Sequence, residues 1–195
     1  MNTQENESLL KSISDEYLLV IPQALEKVSS ERSLYGAIIP HFGWDFEVED
    51  RVYWSSTLWT LDIENAKRVQ AQKPNPADQF EELFEIENNH SRRLVEIDSD
   101  KLKELLTQWY SHQDEIGHGQ NLVDEIGTTL AGTCLKLNSR GWNDARLTAE
   151  FVVYTDCCGD ECTNFGLAEC VLPEWKSQIE ARYDVSIENI TSRPK

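Results

Sequence analysis

The sequence predicts an α+β domain: an antiparallel or mixed sheet with helices packed on one face, including a helical hairpin. Three observations predict it. Leu34 to Ile39 and Leu147 to Thr155 are short apolar runs bounded by turn residues, as buried strands are. The stretches around them carry apolar residues at helical spacing. No internal repeat, low-complexity segment or long linker divides the 195 residues, so one domain is expected over 1–195. Within it, 1–30 reads as a helical region and 189–195 as a frayed tail.

In chain order, Leu9, Leu10, Ile13, Tyr17, Val20, Ile21, Ala24 and Val28 form a helical stripe. Pro22 lies inside it and lacks an amide proton, which predicts a break near Leu19 to Ile21. The run LYGAII follows as a strand. Phe46, Val48, Val52 and Trp54 then alternate with Glu47, Glu49, Arg51 and Tyr53, the period of a second, half-buried strand. Asp50 interrupts its dry face and suggests a bulge. The two strands read as an antiparallel hairpin. Ser55 to Ile63 suits a third strand or a helix entry. Ile63 to Gln72 reads as a helix stopped by Lys73-Pro74-Asn75-Pro76. Phe80, Leu83, Phe84 and Glu87 mark a short acidic helix, and Leu94 to Ile97 a brief strand.

Ser99 is an N-cap candidate with Asp100 in the first turn. Leu102, Leu105, Leu106 and Trp109 make the stripe that follows, and Gly117-His118-Gly119 breaks it. Leu122, Val123, Ile126, Leu130, Cys134 and Leu137 give a second stripe, stopped by Gly141. Leu147 to Thr155 is apolar on both faces, as a central strand is. An acidic turn follows, and Leu167 to Leu172 reads as a returning strand. Pro173 suits the first position of a last helix, with Trp175, Ile179 and Tyr183 on its buried edge.

The charge is lopsided. With 18 Lys and Arg against 35 Asp and Glu, the formal net charge is −17. Such a surface repels nucleic acid and anionic membranes, and favours a basic protein partner; it also serves solubility alone. No apolar run reaches the roughly 18 residues of a membrane span. The polar, acidic start MNTQENESLLKSISDE lacks the pattern of a signal peptide, so a cytoplasmic protein is expected. The cysteines number five, an odd count that argues against a closed disulfide framework.

Cys157, Cys158, Cys162 and Cys170 follow the acidic pattern CC-x3-C-x7-C. Four thiolates can hold zinc tetrahedrally, and Cys158 with Cys162 has knuckle spacing. The second knuckle is missing, although one of His41, His90, His112 or His118 could close the site in space. Free thiols in a loop and core explain the same residues. A redox role has less chemistry behind it: no Lys or Arg lies nearby in sequence to lower a thiol pKa. Glu115 and His118 are spaced as in di-metal bundles, without the further acids such sites need. Motifs for a serine nucleophile, a zinc protease or a phosphate loop are absent, so the chain reads as a non-enzyme with no nucleotide cofactor.

Trp44, Trp54 and Trp59 cluster with Tyr53 and Phe46. They suit a core between sheet and helices. They also suit a binding surface in which aromatic anchors stand inside an acidic rim of Asp45, Glu47, Glu49 and Asp50, a combination fitted to a basic partner.

The order of elements carries a resemblance. A first helix leads to LYGAII, then to RVYWSSTLW, and later to a helical pair ending LKLNSRGW and the strand EFVVYTD. Over most of its length the chain resembles a family of small bacterial proteins of unknown function, in the style of the immunity proteins that neutralise polymorphic toxins. The resemblance implies an α+β protein that binds another protein, and it carries no functional residues across. The expected function is therefore inhibition of a basic partner by binding. A zinc-binding or thiol-active protein is the alternative, and a nucleic-acid mimic, with carboxylates spaced like phosphates, ranks last.

Overall fold

β1 (Leu34–His41) is buried at every position, so both of its faces and both of its edges are covered. The computed structural model describes residues 3–29, 31–41, 47–84, 92–116, 119–142, 147–157 and 166–187, with backbone alone for 115–116, 119–123, 147–150 and 157. One edge of β1 pairs antiparallel with β2 (Thr57–Asp62) and the other pairs parallel with β4 (Leu147–Cys157). β3 (Arg93–Glu96) joins β2 antiparallel, giving the order β3-β2-β1-β4. The class is α+β with a mixed sheet. Between Leu34, opposite Asp62, and Gly36, opposite Leu61, Tyr35 is an extra residue, a bulge in the middle of the sheet.

Two groups of helices bury the sheet. In the first, α1 (Thr3–Ser29) packs against both α5 (Asp100–Ile116) and α6 (Gly119–Ser139), the two arms of the expected hairpin. Asn6 ties the three together. Its Oδ1 accepts from Trp109 Nε1 at 3.1 Å and Gln113 Nε2 at 3.2 Å, and its Nδ2 donates to Glu125 at 2.8 Å. α6 then lies on β4 and β1. The second group is α3 (Ile63–Gln72), α4 (Pro76–Phe84) and α8 (Pro173–Tyr183). Phe80, Phe84 and Tyr183 pack ring against ring at 5.1–5.7 Å between centroids. Tyr35 and Tyr154 reach from the sheet to donate to the carbonyls of Leu83 and Phe84, at 3.1 and 2.8 Å. The buried apolar residues of both groups and the sheet form one cluster.

Several end signals act as the sequence predicts. Ser99 Oγ accepts the amide proton of Leu102 at 3.1 Å, capping α5. Gly141 follows α6 at φ +70°, a left-handed conformation that glycine adopts without strain. Pro173 opens α8.

Three expectations are corrected. Residues 48–55 are not a strand but α2 (Val48–Ser55), so no hairpin joins them to β1, whose antiparallel partner is β2. Val48 and Val52 are four residues apart, a spacing that satisfies both periods. The buried set Arg51, Val52 and Ser55 is helical, and Asp50 is exposed in the first turn rather than bulged. α1 runs unbroken through Pro22, because the buried residues Ile13, Tyr17, Val20, Ile21 and Leu25 stay in phase across it and packing outweighs one lost hydrogen bond. Finally, Leu167 to Leu172 is not a returning strand. α7 (Leu167–Cys170) turns there instead, burying Leu167 and Cys170 at i, i+3.

Candidate functional site

The parallel pairing of β1 and β4 brings two distant parts of the chain to one end of the sheet. His41, the last residue of β1, stands opposite Cys157, the last residue of β4. Adjacent strands lie about 4.8 Å apart. In sequence, Trp44 and Asp45 follow His41, and Cys158 and Cys162 follow Cys157. Trp44, Asp45, Cys158 and Cys162 lie outside the described set, as does the side chain of Cys157.

His41 is 0% exposed, and burial lowers its pKa to about 4, so its ring is neutral at pH 7. Its tautomer follows from its neighbours. Thr155 Oγ donates its one proton to the Ile39 carbonyl at 2.8 Å, so the 2.8 Å contact with His41 Nδ1 needs the proton on the ring. Nε2 then carries the lone pair, the arrangement found when a histidine is oriented for coordination.

Of the four cysteines in the pattern, Cys170 has a described side chain. On α7 it is 0% exposed, its Sγ accepts the Thr155 amide at 3.4 Å, and it neighbours Cys134 of α6. Burial first, and the contact with Cys170 second, push the Cys134 thiol well above its ordinary pKa. Among the described residues no group of three or more His, Cys, Asp and Glu is placed to hold a metal ion.

The segment after His41 leads into α2. The acids Glu47, Glu49 and Asp50 are exposed, as is Tyr53 at 49%. Trp54 is half-buried, edge-on to Tyr53 at 5.4 Å and to Trp59 at 6.0 Å. Trp59 itself is 5% exposed under the guanidinium of Arg92, 3.9 Å above its ring, so it supports this surface from beneath and is not an anchor on it. Sequence reasoning placed Tyr53 beside the cluster without using it, because a strand reading put Tyr53 and Trp54 on opposite faces.

α2 is held firmly. The buried Arg51 donates from Nη2 to both carboxylate oxygens of Asp114 on α5, at 2.6 and 2.7 Å, and lies 5.3 Å over the Tyr110 ring. Ser55 bonds Tyr110 through its hydroxyl at 2.9 Å, and its carbonyl accepts from Tyr17 at 2.5 Å. Arg51 was missed because period two placed it on the wet face.

No family model matches the chain, and neither the curated proteins nor the solved structures include a match. Among the described residues no helix is long and apolar enough to cross a membrane.

Proposed function

We propose that this chain acts in the cytoplasm by binding a basic protein, in the manner of an immunity protein that neutralises a toxin. The observation that carries the reading is the exposed face of α2, where Glu49, Asp50 and Tyr53 stand together in a chain of net charge −17. An aromatic anchor beside carboxylates suits a cationic surface, and net charge speeds the encounter. The fixed backbone beneath it, through Arg51–Asp114 and the Tyr17–Ser55–Tyr110 contacts, lowers the ordering cost of binding. The test is capture of the partner in its native cells, followed by titration of the recovered protein. A basic partner, an affinity that falls with salt, and loss of binding in Glu49→Lys/Asp50→Lys/Tyr53→Ala are expected. A control reversing the exposed Glu81 and Glu174 should bind nearly as the parent does. Equal loss in both variants, or binding indifferent to salt, removes the reading.

A second reading is favoured by one observation, the register of His41 with Cys157. A zinc ion held by thiolates of Cys157, Cys158 and Cys162 would find its fourth donor in Nε2 of His41, which the Thr155 contact orients. In this reading the sheet would supply the ligand in place of the knuckle that the sequence lacks. Metal analysis of protein purified without chelator tests it. About one zinc per chain, lost in Cys158→Ser/Cys162→Ser, is expected; metal-free protein with unchanged stability in that variant rejects it.

A further inference from the structure

α3 and α8 flank a cavity of about 260 Å3. Its floor is Tyr35 of the β1 bulge and Phe84 at the end of α4. Ile63 and Ala66 line it from α3, and Trp175, Ile179 and Tyr183 from α8. The bulge matters here, because the extra residue in β1 is the one that contributes to the floor. The walls are therefore aromatic and aliphatic, as small-molecule sites are, and the volume lies just below the usual range of about 300–1,000 Å3, which suits a compact ligand.

The polar lining has one sign. Lys67 and Gln70 come from α3 and Gln178 and Arg182 from α8, and among the described residues no carboxylate lines the cavity. In a chain with 35 acidic and 18 basic residues that is a local inversion of charge. Arg182 lies 5.4 Å over the ring of Tyr183, itself a wall. Lys67 contacts Glu64 at 2.7 Å, but both side chains are exposed, so this pair contributes little and can be exchanged for a ligand. Charges elsewhere on the chain are screened beyond about 8 Å at physiological salt.

We propose that this cavity binds a compact small molecule with an apolar, aromatic-sized body and a single carboxylate head. The body displaces water from the walls of Tyr35, Phe84, Trp175 and Ile179. The head sits at the mouth between Lys67 and Arg182, with the two glutamine amides as further donors. The inference does not rest on the α2 surface, which packs against α5 rather than against α3 or α8.

Phenylacetate and its neutral analogue phenylacetamide are the probes, titrated into the full chain by calorimetry and by the indole N–H resonance of Trp175. Saturable binding of phenylacetate that shifts Trp175, with phenylacetamide about tenfold weaker, is expected. The exposed double variant Lys67→Gln/Arg182→Gln should keep its fold, by circular dichroism, and bind the two probes equally. Absence of saturation, an unmoved Trp175 resonance, or equal binding of the two probes by the parent chain overturns the proposal.

Discussion

The carboxamide of Asn138 closes on the backbone of Val153 at two points, accepting its N–H at 3.0 Å and donating to its C=O at 2.7 Å. Val153 lies on β4, at the outer edge of the sheet, and Asn138 on the helix that covers it. The side chain stands where a further strand would pair. Its second amide proton reaches the Cys170 carbonyl at 2.6 Å, and Trp142 Nε1 completes the set at 3.4 Å.

Asn138→Ala should therefore strip partners from three backbone groups at once. About 2–4 kcal/mol of stability should be lost, since unmade buried hydrogen bonds cost about 1–3 kcal/mol each and water restores some of them. Urea unfolding measures it; a loss below about 0.5 kcal/mol would show the edge to be held by something else.

Gly36→Ala should be costly for a single methyl. A Cβ there meets Leu61 Cδ1 at 3.1 Å and the Val152 carbonyl oxygen at 3.2 Å. The leucine can turn, but the carbonyl belongs to the ladder. A destabilisation of about 1–3 kcal/mol is expected by thermal unfolding.

Glu16 gives the fold an acid-sensitive contact. The carboxylate is buried, and hydrogen bonds from Lys101 first and from Ser99 hold its pKa below 4.5 against the opposing effect of burial. A folded-state pKa below the unfolded one contributes stability above the unfolded value, lost as pH falls through the folded value. Between about pH 7 and pH 3 the parent chain should lose more stability than Glu16→Gln does. Parallel pH profiles would count against it. Ser99→Ala, which also removes the α5 cap, should cost about 1 kcal/mol or more at neutral pH.

Cys134 and Cys170 should be silent towards thiol reagents in the folded protein. Both are 0% exposed, and reaction requires thiolate and access. Of the five cysteines, two should react only on unfolding, and Cys134→Ala/Cys170→Ala should abolish that delayed fraction. Rapid reaction of all five would contradict the burial.

Much of this fold is legible one segment at a time. LYGAII and EFVVYT read as buried strands because both faces are apolar, and Ser99, Gly141 and Pro173 mark helix ends through their own backbone chemistry. α2 reads as a strand because Val48 and Val52 fit two periods, and Asp50, the misfit, is the residue that distinguishes them. What no local pattern carries is the neighbour of each segment. That His41 ends beside Cys157, or that α3 and α8 enclose a cavity, is decided by pairing between residues far apart in the chain. The residues lining the cavity illustrate the divide: Trp175, Ile179 and Tyr183 were legible as a buried edge, whereas their facing partners on α3 were not.

The parallel pairing of β1 with β4 has a consequence for synthesis. During translation β1 emerges early and β4 roughly a hundred residues later. At ordinary elongation rates that delay is on the order of 5–20 s. Through this interval the most apolar strand of the sheet has one edge unclaimed, and an unclaimed edge is a template for pairing with a neighbouring nascent chain. Yield from crowded polysomes, more than equilibrium stability, is where this topology makes its demand on the cell.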